Sequence, residues 1–354
     1  MMKKVGVLIV DDSVLVRNLI RAIIEMDPEM EVVGEASNGL EAIERVWGLR
    51  PDIVTMDIEM PVMDGLQAIE RIMAENAVPI LVVTSRGDAK TAYAAISKGA
   101  LDLVLKPSLN AEAAQEFGAK LKLMSKVRVV THISGRRAHM PSVAVETPDF
   151  GEDLSDRIVA IASSTGGPDA LSIILSRLPD KFPVPIVIAQ HISDGFVSGM
   201  VGWLKSLSRV GIKVAADGEY LRPGMAYVCP PENHMRIDHL KRIIYVARQE
   251  KDIYRPSCDM LLASVAEAFG NKAVGVILTG MGSDGVEGIK RIREAGGRTI
   301  AQNEMTSIIF GMPKLAIESG CIDAVLPLEA ISSEIARAAA ADVRGPAARA
   351  GSCS

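Results

Sequence analysis

The sequence predicts an α/β protein built from two doubly wound domains. Short aliphatic and β-branched runs alternate with amphipathic segments of helical length through both halves of the chain, a pattern typical of parallel sheets covered by helices. Polar residues follow many of these runs directly, as expected where the carboxyl ends of parallel strands meet at one edge. At 354 residues the chain is long enough for two domains with separate cores.

Composition and charge exclude several classes of protein. The chain is 48% hydrophobic and 23% charged, and no apolar run approaches the roughly 20 residues of a membrane-spanning helix, so we expect no direct membrane insertion. A formal net charge of −5 argues against binding to nucleic acid phosphates. The first apolar run meets aspartates at once, which predicts a strand rather than a signal peptide, and we expect a cytoplasmic protein.

The N-terminal domain, residues 1–124, is expected to hold a five-stranded parallel sheet. The predicted strands are residues 5–10, 31–36, 52–56, 79–83 and 101–105. Amphipathic segments lie between them, and the first places Leu15, Leu19 and Ile23 on one helical face. A helix over residues 111–124 closes the domain.

Five polar side chains stand just after the strands of this domain. Asp11 and Asp12 follow the first strand, Asp57 the third, Thr84 the fourth and Lys106 the fifth. Three carboxylates at one sheet edge repel one another, and their oxygens are the ligands that Mg²⁺ prefers, so a bound Mg²⁺ is expected at Asp11, Asp12 and Asp57. Thr84 can hydrogen-bond a phosphoryl oxygen, and Lys106 can neutralise its charge. Each residue alone is explained by a helix cap or a surface charge; the complete set favours a phosphoryl site.

Residues 125–155 lack sustained periodicity and are interpreted as a linker, and a second domain is expected over residues 156–343. Its predicted strands cover residues 157–162, 184–190, 273–279, 299–301 and 324–326, and its helices include 196–207, 256–269, 313–318 and 328–341. Turn residues punctuate 212–248, so the runs at 225–229 and 243–246 are interpreted as an antiparallel hairpin at the edge of a mostly parallel sheet. Residues 344–354 are expected to form a disordered tail.

The stretch RIVAIASSTGGPDAL at residues 157–171 predicts a strand that turns sharply into a helix. Such a turn exposes polar residues beside the free N–H groups of the helix N-terminus, where a hydroxyl suits either phosphate binding or nucleophilic attack. His191 and Asp284 also stand past the ends of buried strands, which favours nucleophilic attack. We therefore predict a serine-hydrolase triad of Ser164, His191 and Asp284, in which Ser163 only lines the turn.

The motifs of the N-terminal half resemble those of response-regulator receiver domains. They are the aspartate pair at 11–12, MDIEMPVMDG at 56–65, the threonine at 84 and KP at 106–107. The resemblance implies that Asp57 accepts a phosphoryl group from a histidine kinase, with Mg²⁺ bound by the acidic cluster and with Thr84 and Lys106 drawn toward the phosphoryl group. Leu103 stands where many receivers carry an aromatic switch residue, so a rotating-aromatic mechanism is not implied.

The C-terminal half resembles the catalytic domain of the chemotaxis protein-glutamate methylesterases. The matching stretches are SSTGGP at 163–168, AQHISDGF at 189–196, DGEYLRPG at 217–224, RPSCDMLLASVAEAFG at 255–270, LTGMGSDG at 278–285, AGGRTIAQNE at 295–304 and FGMPKLAIESG at 310–320. The resemblance puts Ser164, His191 and Asp284 on the family's catalytic positions and makes the backbone N–H of Met281 an oxyanion donor. Asn303 departs from the family's usual aspartate, and no role is assigned to it.

Together the two resemblances imply a phosphorylation-regulated esterase of bacterial chemotaxis. Its substrates would be glutamate methyl esters on the cytoplasmic domains of methylated chemoreceptors, with release of methanol, and some family members also deamidate receptor glutamines. Mg²⁺ is expected for receiver phosphorylation only, and no cofactor is expected for ester hydrolysis.

Two other functions are compatible with parts of the sequence. The glycine-rich turns resemble dinucleotide loops of a reductase, but G-x-G-x-x-G is absent and His191 would have no role. A receiver is often joined to a DNA-binding effector, but the second half is near neutral and has no basic recognition helix. Of the remaining histidines, His234 is the best candidate for a role near the substrate.

Overall fold

A computed structural model of the chain describes residues 3–85, 89–108, 110–127, 129, 156–180, 182–249 and 251–340. The chain divides into two compact units, residues 1–141 and 142–354. Most of the expected linker 125–155 and the whole expected tail 344–354 lie outside the described residues, so the domain bounds stay a prediction. None of the described helices is long and apolar enough to cross a membrane.

The N-terminal unit contains the expected five-stranded parallel sheet. Its strands are β1 (Val5–Val10), β2 (Met30–Ala36), β3 (Ile53–Met56), β4 (Ile80–Thr84) and β5 (Asp102–Leu105), and they alternate with α1 (Val14–Glu25), α2 (Gly39–Leu49), α3 (Gly65–Glu75), α4 (Ala89–Ser97) and α5 (Ala111–Met124). The strands stand in the order β2-β1-β3-β4-β5, with every neighbouring pair parallel. β3 and β4 are buried along their whole length, as central parallel strands are when helices cover both faces.

The C-terminal unit is built on a seven-stranded sheet that is parallel throughout. In chain order its elements are β6 (Ile158–Ser163), α6 (Gly167–Arg177), β7 (Ile186–Gln190), α7 (Val197–Leu207), β8 (Gly211–Val214), β9 (Met225–Val228), β10 (Asn233–Ile237), β11 (Ile243–Ala247), α8 (Cys258–Phe269), β12 (Ala273–Ile277), α9 (Val286–Glu294), β13 (Arg298–Gln302), α10 (Met312–Glu318), β14 (Ala324–Leu326) and α11 (Leu328–Ala340). The order in the sheet is β14-β13-β12-β6-β7-β9-β8. The two central strands β6 and β7 bring Ser164 and His191 to one edge.

The predicted fold class is confirmed, and the hairpin region differs from the prediction in detail. The run at 225–229 is not hairpin material: β9 pairs in parallel with both β7 and β8 inside the main sheet. The antiparallel hairpin consists of β10 and β11, which form a separate two-stranded sheet. The turn residues between β8 and β9 lie in a connection of ten residues, which is near the shortest length that can cross over to a parallel partner. Turn signals in so short a connection therefore predict a hairpin, although the two strands pair in parallel.

Candidate active site and phosphoryl site

Ser163 at the end of β6 and Ser164 directly after it differ in their hydrogen bonding. The Ser163 hydroxyl is fully buried and donates to Oε1 of Gln190 at 2.6 Å. The Ser164 hydroxyl makes no hydrogen bond to any residue that the structure describes, although the residue is only 8% exposed. Of the two serines, Ser164 therefore keeps an available hydroxyl, and its role as the nucleophile stays a prediction, whereas the Ser163 hydroxyl is used within the turn.

Gln190, at the end of β7, ties the ends of the two central strands together. Its amide nitrogen donates to the carbonyl oxygens of Ser164 and His191, each at 2.8 Å. A Cβ on Gly167 would lie 1.9 Å from Oε1 of Gln190, so only glycine lets helix α6 begin this close to the network. The role of Gln190 is not predictable from sequence patterns beyond its position directly before His191.

His191 is held from two sides. Its Nε2 lies 2.8 Å from Oδ2 of Asp284, and its ring stacks on Tyr254 with centroids 5.1 Å apart and planes 13° apart. Nδ1 of His191 has no hydrogen-bond partner among the described residues, so it is the ring nitrogen that remains available. The predicted pairing of His191 with Asp284 is present, while Tyr254 is a contact that sequence reasoning missed.

Three consecutive residues at the start of α8 hold the Asp284 carboxylate. The N–H groups of Cys258 and Asp259 donate to it at 2.6 and 2.9 Å, and the Ser257 hydroxyl donates at 3.2 Å. Burial raises the pKa of Asp284, but the hydrogen bond and charge of His191, together with these backbone N–H groups, outweigh burial and place the pKa below its usual value. The carboxylate is therefore kept ionised beside the imidazole.

The Asp259 carboxylate accepts hydrogen bonds at the start of helix α9, which follows Asp284. Its Oδ1 accepts the N–H groups of Gly285 and Gly288, each at 2.8 Å. Asp284 thus lies at the N-terminus of α8, which contains Asp259, and Asp259 lies at the N-terminus of α9, which follows Asp284. The partial positive charge at a helix N-terminus favours a carboxylate at both places. Burial and the nearby Asp284 charge raise the pKa of Asp259.

The turn after β12 comes close to Ser164. A Cβ on Gly280 would lie 2.7 Å from Cβ of Ser164 and 2.3 Å from Sδ of Met312. The N–H of Met281, the next residue, donates to no acceptor among the described residues, and neither does the N–H of Thr165, directly after the nucleophile. Two unpaired donors in the residues that adjoin Gly280 and Ser164 suit the expected oxyanion role of Met281 and add Thr165 to it.

Two further residues near the triad are structural. Cys258 lies 3.5 Å from Nε2 of His191 and is wholly buried, and burial raises its thiol pKa well above the usual value, so it is interpreted as a protonated packing residue. Asn303, to which no role was assigned, accepts hydrogen bonds from the N–H and hydroxyl of Thr306 and so caps the short helix Glu304–Thr306.

In the N-terminal unit the carboxyl ends of β1 and β3 bring the predicted acidic residues together. Lys106 Nζ lies 2.9 Å from Oδ2 of Asp11 and 2.7 Å from Oδ2 of Asp57, both of them buried. Burial raises the pKa of Asp57, and the Asp11 charge adds to this although Lys106 opposes it. Thr84 is buried at the end of β4, and its carbonyl oxygen accepts the N–H of Lys106 at 2.9 Å.

Mg²⁺ fits this cluster. The carboxylate oxygens of Asp11, Asp12 and Asp57 lie within 4.8 Å of one another, which allows one hard cation to contact all three. Oδ2 of Asp11 is buried and accepts no hydrogen bond from the described residues beyond its ion pair with Lys106. A cation would thus offset carboxylate repulsion that a single lysine leaves partly uncompensated.

Comparison with known proteins identifies a family for each half of the chain. The family model described as response regulator receiver domain matches residues 7–116, and the model described as CheB methylesterase matches residues 159–335. The chain is 47% identical over 346 residues to protein-glutamate methylesterase/protein-glutamine glutaminase 3 of Paramagnetospirillum magneticum, which covers 96% of this chain and 98% of that protein. It is 40% identical over 347 residues to the protein of the same description from Pyrococcus abyssi, covering 95% and 94%.

Among solved structures, the chain is similar to the crystal structure of the Thermotoga maritima CheB methylesterase catalytic domain. The two are 38% identical with a TM-score of 0.50, and the match covers 51% of this chain and 97% of that chain. The chain therefore belongs to the CheB methylesterase family and joins a response-regulator receiver domain to the family's catalytic domain.

Proposed function

We propose that this chain is a serine esterase that hydrolyses glutamate methyl esters on the cytoplasmic domains of chemoreceptors, releasing methanol, and that it also deamidates receptor glutamines. The observation that carries the proposal is a serine hydroxyl without a partner among the described residues, at the same sheet edge as a histidine held by a buried, ionised aspartate. The names of the relatives, which combine esterase and glutaminase activities, supply the substrate class. Family membership leaves the reductase and transcription-factor alternatives without support.

Ser164 acts as the nucleophile, and His191 acts as the base through Nδ1. Because Nε2 is directed at Asp284, its proton stays on that hydrogen bond and Nδ1 carries the free lone pair. The ring nitrogens thus exchange the roles that they have in the Ser-His-Asp template, in which Nδ1 faces the aspartate. Asp284 stabilises the imidazolium that forms, and the Tyr254 ring restricts the tilt of the imidazole.

The reaction runs through an acyl-enzyme. Ser164 Oγ attacks the γ-carbonyl carbon of the ester and gives its proton to His191, while the N–H groups of Met281 and Thr165 hold the oxyanion. The carbon–methoxy bond then breaks, and methanol leaves with the proton from His191. Water attacks the acyl group by the same route in reverse, which regenerates Ser164 and leaves a glutamate carboxylate. A glutamine substrate follows the same path with ammonia as the leaving group, and no step requires a metal.

The test is release of methanol from methylated receptor membranes and from a small soluble methyl ester. The full chain should release methanol from both, and Ser164→Ala should release it from neither. Activity that survives Ser164→Ala on both substrates would contradict the proposal. Equal loss in the Ser163→Ala control would show that the turn, rather than the nucleophile, is being measured.

The receiver unit regulates this activity in our proposal. A histidine kinase of the chemotaxis system phosphorylates Asp57, with Mg²⁺ held by Asp11, Asp12 and Asp57. The ion supplies charge neutralisation for phosphoryl transfer when it is bound. The Lys106 ammonium, which already contacts two of these carboxylates, then pairs with the phosphoryl oxygens. Because the proposed partners are this kinase and the cytoplasmic domains of the chemoreceptors, we propose that the protein acts in the cytoplasm.

A further inference from the structure

The catalytic unit contains a second imidazole–carboxylate pair, formed by His234 and Asp252. His234 lies in strand β10, is 3% exposed, and has Nε2 at 2.8 Å from Oδ2 of Asp252. Its Nδ1 accepts the backbone N–H of Ser257 at 2.9 Å. Because a backbone N–H can only donate, Nδ1 carries no proton, and the neutral ring holds its proton on Nε2, toward Asp252.

The acceptor side of His234 leads directly to the catalytic aspartate. Ser257 is the N-cap residue of α8, and its hydroxyl both accepts the N–H of Met260 and donates to Asp284. The next two N–H groups along the chain complete the set of donors around Asp284. Fixing the Ser257 backbone therefore fixes the first of three consecutive residues that orient this carboxylate.

The hydrogen bond that His234 donates to Asp252 helps to hold the segment that carries Tyr254. Asp252 also accepts the N–H of Gln249 at 2.7 Å, and its own carbonyl oxygen accepts Nε of Arg255. The Arg255 carbonyl in turn accepts the N–H of Ile192, next to His191. Gln249 and Ser257 are thus each held by a hydrogen bond to this pair, and Tyr254, which lies between them in the sequence, stacks its ring on His191.

We propose that His234 is a positioning residue for ester hydrolysis, acting through Ser257 on Asp284, and that Asp252 fixes the ring of His234. His234 is 3% exposed and both of its ring nitrogens are already hydrogen-bonded within the protein, so we assign it to positioning rather than to contact with the substrate. This inference rests on the proposed esterase function. A second histidine–aspartate pair, His234 and Asp252, then supports the pair His191 and Asp284, from which it is distant in sequence.

Two substitutions separate the two hydrogen bonds of His234. In His234→Asn the amide oxygen stands at the position of Nδ1 and can accept the Ser257 N–H, but the side chain is too short to reach Asp252. In His234→Gln the amide nitrogen stands at the position of Nε2 and can donate to Asp252, but no acceptor faces Ser257. Both variants remove the imidazole and keep one of its two hydrogen bonds, so each controls for the loss of the ring itself.

We expect His234→Gln to lower kcat about 10- to 100-fold on a small soluble methyl ester with KM within about twofold, because a displacement near 1 Å at a catalytic group costs rate on this scale. His234→Asn should stay within about threefold of the parent chain. Hydrogen exchange measured at the amides of 257–259 should be faster in His234→Gln and unchanged in His234→Asn. His239→Ala, an exposed histidine on the same hairpin, is the control and should change none of these values.

Rates are compared per folded molecule, with the folded fraction of each variant measured by circular dichroism. Equal loss of kcat in the Asn and Gln variants, or no loss in either, would overturn the proposal and leave His234 with a purely structural role. An inactive parent chain would instead contradict the proposed esterase function. The exchange measurement still tests the link from His234 to Ser257 in that case, since it needs no activity.

Discussion

At the scale of single residues, hydrogen bonding rather than residue type decides which groups are reactive. Ser163 and Ser164 are adjacent and chemically identical, yet the first hydroxyl is bound to Gln190 and the second has no partner among the described residues. Cys258 and His191 lie 3.5 Å apart, but burial keeps the thiol protonated while the imidazole remains partly accessible. The groups that we expect to react are therefore those whose lone pairs and protons are not already taken up by hydrogen bonds.

Ser164→Ala should reduce turnover by on the order of 10⁴- to 10⁶-fold while the fold is retained, since triad serines account for about this much of kcat. Ser163→Ala should leave most of the activity but lower the free energy of unfolding by about 1–3 kcal/mol, because Oε1 of Gln190 loses its buried donor. Methanol release and denaturant unfolding measure the two effects. An inactive Ser163→Ala together with an active Ser164→Ala would mean that the nucleophile has been assigned to the wrong serine.

The rate should fall on the acidic side of neutrality. His191 must be neutral to accept the Ser164 proton, and a histidine side chain ordinarily changes charge between about pH 5 and 8. The pKa of Asp284 lies below its usual value, so this carboxylate stays ionised throughout that window and does not produce the fall. The measurement is kcat/KM on a soluble ester from pH 5 to 8, with stability checked at each pH.

Asp259→Asn is the control for that profile, because burial raises the pKa of Asp259 and its titration is the competing explanation. The acidic fall should persist in this variant. A flat profile in the parent chain would count against His191 as the base, and a fall that vanishes only in Asp259→Asn would assign it to Asp259.

At the scale of elements, the site is a product of how closely helices and turns approach the sheet edge. Asp284, which lies just before α9, accepts N–H groups at the start of α8. Asp259, which lies in α8, accepts N–H groups at the start of α9. The turn after β12 lies against Ser164 because Gly280 has no side chain. These contacts set the positions of the oxyanion donors and of the imidazole's partner.

Gly280→Ala should therefore abolish most esterase activity and also destabilise the unit. The new Cβ would lie 2.3 Å from Sδ of Met312 and 2.7 Å from Cβ of Ser164, so either the turn or the nucleophile must move. Gly202→Ala is the matched control: Gly202 lies in helix α7 with no atom within 4 Å of the added Cβ, and the change should stabilise by about 0.5–1 kcal/mol. Full activity in Gly280→Ala would refute the close approach.

At the scale of the whole molecule, two units of the same doubly wound class carry two different chemistries at the carboxyl edges of their sheets. One edge gathers three carboxylates and a lysine, and the other gathers a serine, a histidine and an aspartate. Shared architecture explains why both sites form at strand ends, whereas the side chains placed there decide the reaction.

Phosphorylation should raise the esterase rate of the full chain, and Asp57→Ala should keep the basal rate and lose the response to a phosphodonor. Removal of Mg²⁺ by a chelator should abolish the response without changing the basal rate, because the carboxylate cluster serves only phosphoryl transfer. Asp27→Ala is the control, since Asp27 lies before β2 at the opposite edge of the same sheet and should respond like the parent. Methanol release with and without phosphodonor measures each case.

A chain beginning near residue 153 tests the sign of the regulation. It should be faster than the unphosphorylated full chain and indifferent to phosphodonor, because it keeps most of the compact C-terminal unit, residues 142–354, and lacks the receiver. If it is no faster on either the soluble ester or receptor membranes, the receiver does not inhibit and must act positively, through docking or direct activation.

Local patterns in the sequence were enough to predict the fold class, the five strands of the N-terminal sheet and most strands of the C-terminal sheet, but not β8 or β10. Strands β1 to β5 lie within one residue of their predicted bounds, and Ser164, His191, Asp284 and Asp57 stand at strand ends as expected. This was possible because buried strands and sharp turns leave local patterns, and because the carboxyl ends of parallel strands share an edge whatever their order.

The strand order around β9, the ring nitrogen that faces Asp284, and the contacts that hold Asp284 and His191 follow only from the packing of the folded unit. The N–H of Cys258 and the carboxylate of Asp284 are 26 residues apart, and the pair formed by His234 and Asp252 reaches the site through Ser257. Such contacts depend on which crossover brings which helix start to the sheet edge. That choice is made by packing of the whole unit, and no window of sequence short enough to show periodicity contains it.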